Sequence, residues 1–443
     1  MTDHAQAAAT AAVAEAPARP VARTVRERLG ATFGRKHEAL SPRVLRRTLA
    51  ELQAVVDPRV SEVEGGRRAR GVAEWYAKAT AAQRRDCWVL MSEQFGPDPK
   101  KVQAAREHYE SAQGTPEEGA AEIRLRRAFT SPRTRLLQRF AAFDTGMRFL
   151  IDLRADLLKE LKSDKRLIPL DAELESLFST WFDVAFLELR RISWDSPASL
   201  IEKLIQYEAV HDIRSWGDVK NRLDSDRRCY GFFHPRLPNE PLIFVEVALM
   251  DEMADSITPL LDEAAAPSDL AKATTAIFYS ISNTQQGLKG VSFGDSLIKR
   301  VVETLKDEFP RLKCFATLSP IPGLRAWMQK NAPAELMAAL EKDPLSLGPK
   351  SKERQQLLAH AARYLGREMV DGKPLDGVAR FHLGNGARIE RINWAADPSP
   401  KGLKQSFGLM VNYLYDLKRL DKHRTLLAQG QIPMSGAVEG LYG

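Results

Sequence analysis

A glycine-rich segment in the second half of this 443-residue chain has the residue types to bind an anion through its backbone. A β-rich run, Ile277–Ser282, leads into the sequence QQGLKGVSFG at residues 285–294, and a helical pattern follows. Glycines let a backbone approach a ligand closely and turn its N–H groups inward, and a helix N-terminus adds partial positive charge. The unit predicts a phosphate or pyrophosphate site, to which Lys289, Lys299 and Arg300 could add charge. A loop without a ligand is the plainer alternative, since the sequence is neither a Walker A loop nor GxGxxG.

The same segment contains the pattern of a hydrolase nucleophile. GVSFG at residues 290–294 matches GxSxG, and Asp376 and His382 follow in the order Ser, Asp, His that α/β-hydrolases use. The serine of such a turn directly follows its strand, whereas about nine residues separate Ser282 from Ser292. No HGGG-type segment for an oxyanion hole is present. An α/β-hydrolase that uses Ser292 is therefore the weaker alternative.

Two further side chains could face a ligand. Ser319 follows the β-rich run Lys313–Leu318, and Pro320 favours an extended conformation for it. His382 is flanked by apolar residues, which predicts a strand at Val378–His382 with the histidine on the face opposite its neighbours. From these residues alone, a turn serine and a structural histidine are the plainer alternatives.

The elements that must position these residues are of two kinds. The sequence reads as helical from about Val25 to Asp183, and short β-rich runs alternate with helical segments after about Phe186. Apolar residues at spacings of three and four predict one long helix in the first half, and they are Leu136, Phe140, Phe143, Met147, Leu150, Leu153, Leu157 and Leu161. The remaining β-rich runs are Leu187–Ile192, Cys229–Phe233 and Leu242–Leu249. Asp295 or Ser296 is expected to cap the helix after the glycine-rich loop. Such alternation predicts an α/β or α+β domain with a mixed sheet.

Composition narrows the class of protein. The chain is 44% hydrophobic and 28% charged, which excludes disorder as a whole, and its longest apolar run is far short of the about 20 residues that a membrane span needs. The net charge of +7 suggests nucleic acid, but the basic residues are interleaved with acidic ones and no nucleic-acid-binding motif is present. None of the three cysteines has zinc-ligand spacing, and their odd, sparse number favours reduced thiols in a cytoplasm over a disulfide framework.

Taken together, several segments resemble the malonyl-CoA decarboxylase family. The resemblance covers the second half nearly end to end, whereas the helical first half is similar in layout more than in motif. The matching segments are CYGFFHP (229–235), EPL through VAL (240–249), FYSIS with TQQGL (278–288), LSPIPG (318–323), FHL with NGA (381–387), RINW (391–394) and GLM with NY (408–413).

The resemblance implies an α+β chain, with an all-helical N-terminal domain followed by a mixed-sheet catalytic domain similar to the GNAT acyltransferases. The implied division is a flexible alanine-rich tail at residues 1–24, a helical oligomerisation domain at 25–184 and the catalytic domain at 185–443. In such a fold the loop and helix N-terminus hold the pyrophosphate of coenzyme A. The pantetheine arm then lies between two splayed strands, here Ile277–Ser282 and Lys313–Leu318.

The family's functional residues map onto positions of this sequence. The catalytic serine and histidine correspond to Ser319 and His382, and an active-site tyrosine corresponds to Tyr415, which the local pattern places in a helix. The substrate-contact segment corresponds to Lys289, Gly290, Val291, Ser292, Phe293, Gly294 and Asp295. Ser292 stands where an acidic residue can occur in the family, so its contact is left open.

The implied reaction converts malonyl-CoA to acetyl-CoA and carbon dioxide through an enolate that His382 protonates. No metal or organic cofactor is expected, because the thioester itself accepts the electron pair. Neither nucleic acid nor a membrane is an expected partner, and the resemblance implies a cytoplasmic homotetramer of fatty acid metabolism. A CoA-dependent acyltransferase of the GNAT type, which would need an acceptor amine, is the main alternative.

Overall fold

The computed structural model describes residues 24–33, 38–291, 293 and 297–442. The chain forms two compact units, Met1–Phe143 with Glu160–Leu170 and Asp144–Lys159 with Asp171–Gly443. The predicted tail at residues 1–24 lies almost wholly outside the described residues.

The first unit consists of helices, several of which begin at a residue with a capping side chain. Side chains of Ser41, Ser61, Thr80 and Asp98 each accept a hydrogen bond from a backbone N–H in the first turn that follows. The helices are α1 (Val25–Gly30), α2 (Pro42–Val56), α3 (Glu62–Lys78), α4 (Ala81–Glu93), α5 (Pro99–Ala112), α6 (Glu118–Phe129) and α7 (Pro132–Ala141), with a 3₁₀ turn at Lys165–Leu167.

The single long helix predicted from the apolar stripe is wrong. The stripe is divided between α7, which ends at Ala141, and α8 (Gly146–Glu160). Asp144, Thr145 and Gly146 are consecutive poor helix formers. The apolar spacing continues across them, so periodicity alone does not reveal the break.

The second unit contains a sheet in the order β1-β2-β3-β4-β5-β10-β6, with β9 paired to β10. Only β4 and β5 pair in parallel among the described strands, and the other pairs are antiparallel. The strands are β1 (Glu188–Ile192), β2 (Arg227–His234), β3 (Leu237–Met250), β4 (Thr275–Asn283), β5 (Cys314–Thr317), β6 (Ser319–Pro320), β9 (Arg388–Asn393) and β10 (Met410–Leu414). A separate pair joins β7 (Met369–Val370) and β8 (Lys373–Pro374).

Helices surround this sheet and connect its strands. Besides α8 they are α9 (Ile168–Trp181), α10 (Ala198–Tyr207), α11 (Trp216–Arg222), α12 (Leu297–Glu308), α13 (Leu324–Asn331), α14 (Ala334–Lys342), α15 (Lys352–Gly366), α16 (Gly377–Gly384), α17 (Pro400–Ser406), α18 (Leu420–Ala428) and α19 (Gly436–Glu439). Short 3₁₀ turns lie at Val184–Phe186, Thr258–Leu260, Gln286–Leu288 and Pro344–Ser346. α8 and most of α9 group with the sheet, although their sequence lies before the predicted boundary at 184.

The two parallel strands part halfway along β4. Their last paired residues are Phe278 and Thr317. Beyond this point β4 continues beside β3, whereas Ser319 pairs with Val411 of β10. A register shift between Glu246 and Val247 of β3 lies opposite the point of parting, and such irregularities turn a strand and re-aim its side chains.

The strand predicted at Val378–His382 is wrong, because these residues belong to α16. Asp376 precedes the helix, and its carboxylate accepts hydrogen bonds from the N–H groups of Val378 and Ala379. The buried positions are Ala379, His382 and Leu383, a spacing of three and four that suits a helix.

The α+β class is otherwise confirmed, since helices lead into a mixed sheet as predicted. Among the described residues, no helix combines the length and the apolar character required to span a bilayer.

Candidate active site

A chain of hydrogen bonds joins Ser319, His382 and Tyr415. The hydroxyl of Ser319 lies 3.2 Å from Nε2 of His382, and Nδ1 of His382 lies 2.8 Å from the hydroxyl of Tyr415. All three residues are buried, with exposed fractions of 5%, 3% and 3%. The structure therefore brings together the three candidate catalytic residues from segments up to 96 positions apart in the sequence.

Each of the three residues is placed by a different element. Ser319 is in β6, held against β10, and His382 is in the last turn of α16. Tyr415 follows β10 directly, and its N–H donates to the carbonyl of Phe315 in β5. The helical position predicted for Tyr415 is wrong, because the preceding residues pair with β5, β6 and β9.

Hydrogen bonds made by Thr317 and Asn412 help to position Ser319. The Ser319 hydroxyl donates to Oγ1 of Thr317, 2.8 Å away, and this oxygen also accepts from the N–H of Tyr413. Nδ2 of Asn412 donates to the carbonyls of Thr317 and Ala254. These neighbours fix the orientation of the serine. The sequence gives no signal for Thr317 in this role, and for Asn412 the only signal is its place in the NY pair of a matching segment.

Burial controls the charge of the central histidine. His382 packs against the ring of Tyr413, with ring centres 4.7 Å apart. Burial lowers the pKa of His382 to about 3, and it raises the pKa of Tyr415 far above its ordinary value. At neutral pH the imidazole is therefore neutral and the phenol keeps its proton.

The hydrogen-bond directions specify the tautomer of the histidine. Ser319 has one hydroxyl proton, which it donates to Thr317, so Nε2 of His382 must be the donor to Ser319. A neutral imidazole with a proton on Nε2 accepts at Nδ1, where the Tyr415 hydroxyl donates. The chain of donors therefore runs from Tyr415 through His382 to Ser319.

A cavity of about 400 Å³ lies beside the end of β4 that continues beyond its last pair with β5, and His382 forms part of its wall. The other walls come from β3, β4, the glycine-rich loop, α12 and α16. The residues that line it are Ile243, Ile281, Asn283, Val291, Phe293, Leu297, Gly377, Val378, Arg380, Phe381, His382, Gly384 and Asn385. A smaller cavity of about 180 Å³ is lined by Tyr415 together with Lys299, Asn385, Asp421 and Arg424.

The candidate substrate segment is only partly described. Val291 and Phe293 line the larger cavity, and Lys289 and Gly290 are exposed on the loop, where Gly290 has a φ of 82° that favours glycine. Ser292, Gly294 and Asp295 lie outside the described residues, as does Ser296, the other predicted helix cap.

Of the predicted basic residues, Arg300 binds main-chain carbonyls. Its guanidinium donates to the carbonyls of Val184 and Leu187. Lys299 lines the smaller cavity, where its ammonium lies 3.9 Å from Glu303. Of the three basic residues predicted from the sequence, the structure therefore leaves Lys289 and Lys299 to bind an anion.

The geometry disfavours the hydrolase alternative. Asp376 caps α16 and accepts from the hydroxyl of Tyr364, so its carboxylate is occupied away from His382. Nε2 of His382 faces Ser319. Within the described part of the chain, no hydrogen bond joins Asp376 to His382, as the triad order would require.

Two models of protein families match this chain. Residues 95–182 match the malonyl-CoA decarboxylase N-terminal domain, and residues 185–442 match the malonyl-CoA decarboxylase C-terminal domain. The chain belongs to the malonyl-CoA decarboxylase family. The second match spans more than half of the sequence and contains the whole Ser319–His382–Tyr415 chain.

Individual members of the malonyl-CoA decarboxylase family are similar over most of their length. The mitochondrial malonyl-CoA decarboxylase of Rattus norvegicus is 37% identical over 382 residues, which cover 77% of each chain. That of Anser anser anser is 35% identical over 394 residues, covering 80% of this chain and 78% of the relative.

Solved malonyl-CoA decarboxylase structures are also similar. The structure from Rhodopseudomonas palustris is 40% identical, with a TM-score of 0.79, and covers 89% of this chain and 99% of its own. The structure from Agrobacterium vitis is 39% identical, with a TM-score of 0.80, and covers 90% and 100%.

Proposed function

We propose that this chain decarboxylates malonyl-CoA and that His382 protonates the resulting enolate. The observation that carries the proposal is the hydrogen-bonded chain Ser319–His382–Tyr415, whose central histidine lines a cavity beside the end of β4. Membership of the malonyl-CoA decarboxylase family supports the substrate and the reaction.

The chemistry needs one proton and no external electron acceptor. The bond between the malonyl carboxylate and Cα breaks, carbon dioxide leaves, and the electron pair enters the thioester as an enolate. A proton then adds to Cα to give acetyl-CoA. Because the thioester carbonyl accepts the electron pair, the enzyme has to orient the carboxylate out of the thioester plane and supply the proton.

The proposed roles follow from the directions of the hydrogen bonds. Nε2–H of His382 donates to the enolate carbon, and the Tyr415 hydroxyl passes a proton to Nδ1, so the imidazole does not become an anion. Tyr415 also lines the smaller cavity, whose walls include charged side chains. A proton that enters through this cavity replaces the one that Tyr415 has given up. When substrate binds, the Ser319 hydroxyl turns from Thr317, its acceptor in the empty site, and donates to the malonyl carboxylate or to the thioester oxygen.

The direct experiment mixes the purified protein with malonyl-CoA and follows acetyl-CoA by mass spectrometry. We expect acetyl-CoA without any acceptor, whereas an acyltransferase would release CoA only after an amine is added. Methylmalonyl-CoA in parallel measures how strict the acyl site is. No acetyl-CoA above a heat-inactivated sample would refute the proposal.

We also propose that no metal or organic cofactor takes part, since the thioester is the electron sink. Dialysis against a chelator before the same assay tests this, and a loss of turnover restored by a divalent metal would contradict it. A cytoplasmic homotetramer that acts in fatty acid metabolism is proposed on the family resemblance. The three free cysteines support a reducing compartment, and light scattering after size-exclusion chromatography measures the oligomeric state.

Removing the Tyr415 hydroxyl is expected to slow turnover with little effect on binding. In Tyr415→Phe, Nδ1 of His382 loses its donor, so kcat falls about tenfold or more while KM changes little. Tyr279→Phe is the matched control, because that buried tyrosine has a hydroxyl without a partner among the described residues. Steady-state kinetics measure both variants, and equal kcat values for them would contradict the relay.

A further inference from the structure

We infer that Arg154 of α8 is a positioning residue for the glycine-rich loop, and that α8 is part of the apparatus that binds the nucleotide end of the substrate. The inference rests on the proposed function, because it assumes that this loop receives the diphosphate of coenzyme A. It assigns a role in substrate binding to a helix whose sequence reads as an ordinary apolar stripe with a solvated charged face.

Arg154 is buried, with 1% of its side chain exposed. Its Nη1 donates to the carbonyls of Gly287 and Lys289, at 2.9 Å and 3.0 Å. Its remaining donors face Asp171, at 2.8 Å, and Glu175, at 3.3 Å. One guanidinium therefore clamps two loop carbonyls that are two residues apart, while two carboxylates of α9 hold the guanidinium in place.

The loop also packs on α8 so closely that one position has no room for a side chain. A Cβ added to Gly287 would lie 1.9 Å from the carbonyl oxygen of Ile151. Gly287 has no positive φ to explain its identity, so the close approach to α8 is the physical reason for glycine here.

Two further contacts attach the same loop to this part of the chain. Nη1 of Arg148, one and a half turns earlier on α8, donates to Oε1 of Gln285 at 2.6 Å. The N–H of Val184 donates to the carbonyl of Phe293 at 2.9 Å. The loop is therefore tied at four of its residues, and Val291 and Phe293 on it line the cavity that His382 faces.

Such anchoring holds the loop in one conformation before the substrate arrives. Ordering a flexible loop opposes binding. The apparent affinity for the substrate equals the intrinsic affinity multiplied by the fraction of molecules whose loop is already in the binding conformation. Arg154 contacts the loop and lies outside the hydrogen-bonded chain of His382. Its loss is therefore expected to weaken substrate binding more than the chemical step.

The test compares Arg154→Met with Arg154→Lys in the full-length protein, using malonyl-CoA and malonyl-pantetheine, which lacks the nucleotide diphosphate. For Arg154→Met we expect KM for malonyl-CoA to rise about tenfold if a tenth of the loops stay competent, with kcat changed much less. KM for malonyl-pantetheine should change little, and Arg154→Lys should recover part of the loss. Tryptic cleavage after Lys289, an exposed loop residue, should become faster in Arg154→Met.

Arg133→Met provides the matched control. Arg133 is also buried and donates to backbone carbonyls, those of Met91, Ser92 and Pro169, all within the first unit. Its loss should lower stability without changing KM for malonyl-CoA. If both Arg154 variants fail to fold, Arg148→Met tests the same anchoring, because the Arg148 side chain is 31% exposed and its replacement is tolerated more easily.

Three outcomes would overturn the inference. They are an unchanged KM in the folded variants, an equal loss with both substrates, and an Arg133→Met effect on KM as large as that of Arg154→Met. If only Arg148→Met can be measured, an unchanged KM for malonyl-CoA overturns it. Failure of the proposed function looks different, because the unaltered protein would then make neither acetyl-CoA from malonyl-CoA nor acetyl-pantetheine from malonyl-pantetheine.

Discussion

Replacing His382 with alanine is expected to lower kcat for malonyl-CoA by about 10²–10⁴-fold, the usual contribution of a positioned general acid. Malonyl-CoA binding stays largely intact, because the cavity has walls from β3, β4, the loop and α12 as well as α16. Ser319 and Tyr415 remain in this variant, but no group connects them. Single-turnover kinetics and direct binding of malonyl-CoA measure the two effects separately. Normal turnover would show that the acid is another group.

His382→Gln and His211→Gln separate the catalytic role from the effect of burying a histidine. Burial also lowers the pKa of His211, to about 4. An unfolded histidine takes up a proton as the pH falls below about 6.5, whereas folded His382 stays neutral until about 3. The unfolded state therefore binds more protons in this window, and stability falls as the pH is lowered from 6.5 toward 3. Both variants should flatten that fall, but only His382→Gln should lose kcat.

Replacing Arg222 with methionine is expected to cost about 3–5 kcal/mol of stability, the usual effect of leaving buried charge without its partner. Arg222, at the end of α11, is fully buried. Its guanidinium donates to Asp218, to Glu246 of β3 at 2.9 Å, and to the carbonyl of His211. Burial and the nearby Glu208 carboxylate raise the pKa of Glu246, and the Arg222 guanidinium opposes this rise. Without Arg222 both acids would have to be neutral.

The shift of the urea unfolding transition measures this cost, and a second substitution identifies its cause. Glu246→Gln added to Arg222→Met removes one of the two stranded carboxylates, so part of the lost stability should return. A loss below about 1 kcal/mol in the single variant, as for a surface pair, would mean that Asp218 and Glu246 are solvated when the arginine is absent.

The unit of β4, loop and α12 could be predicted because its signals are local. The β-rich run Ile277–Ser282, the glycines, and the apolar face from Leu297 onward are each signals within a few residues. The extended conformation predicted for Ser319 from the proline after it is found, although the residue belongs to the separate short strand β6 and not to the end of β5. These signals fixed the order of the elements, and they could not reveal the point at which β4 and β5 part.

His382 shows where short patterns fail. Five residues with apolar neighbours fit a strand and a helix turn equally well, and only the capping carboxylate of Asp376 distinguishes them. That carboxylate also fits the residue order of a hydrolase triad, so the sequence alone does not identify it as a helix cap. The resemblance to the family identified the right histidine although its secondary structure was predicted incorrectly.

Arg154 shows what no local pattern could supply. Its charged side chain occurs among others on α8, and the carbonyls it clamps are 133 and 135 residues away in the sequence. Backbone carbonyls carry no sequence signature. A buried arginine that binds them is therefore invisible until the tertiary structure is known.

The grouping of α8 with the sheet determines where chimaeras between relatives can be joined. A chimaera joined at residue 185, where the second family match begins, would take its loop from one parent and the supports of that loop from the other. Gly287 and Ile151 must fit within a contact too close for any side chain, so small differences between parents would be felt there. A junction before Asp144 keeps Arg148, Arg154 and the loop from a single parent.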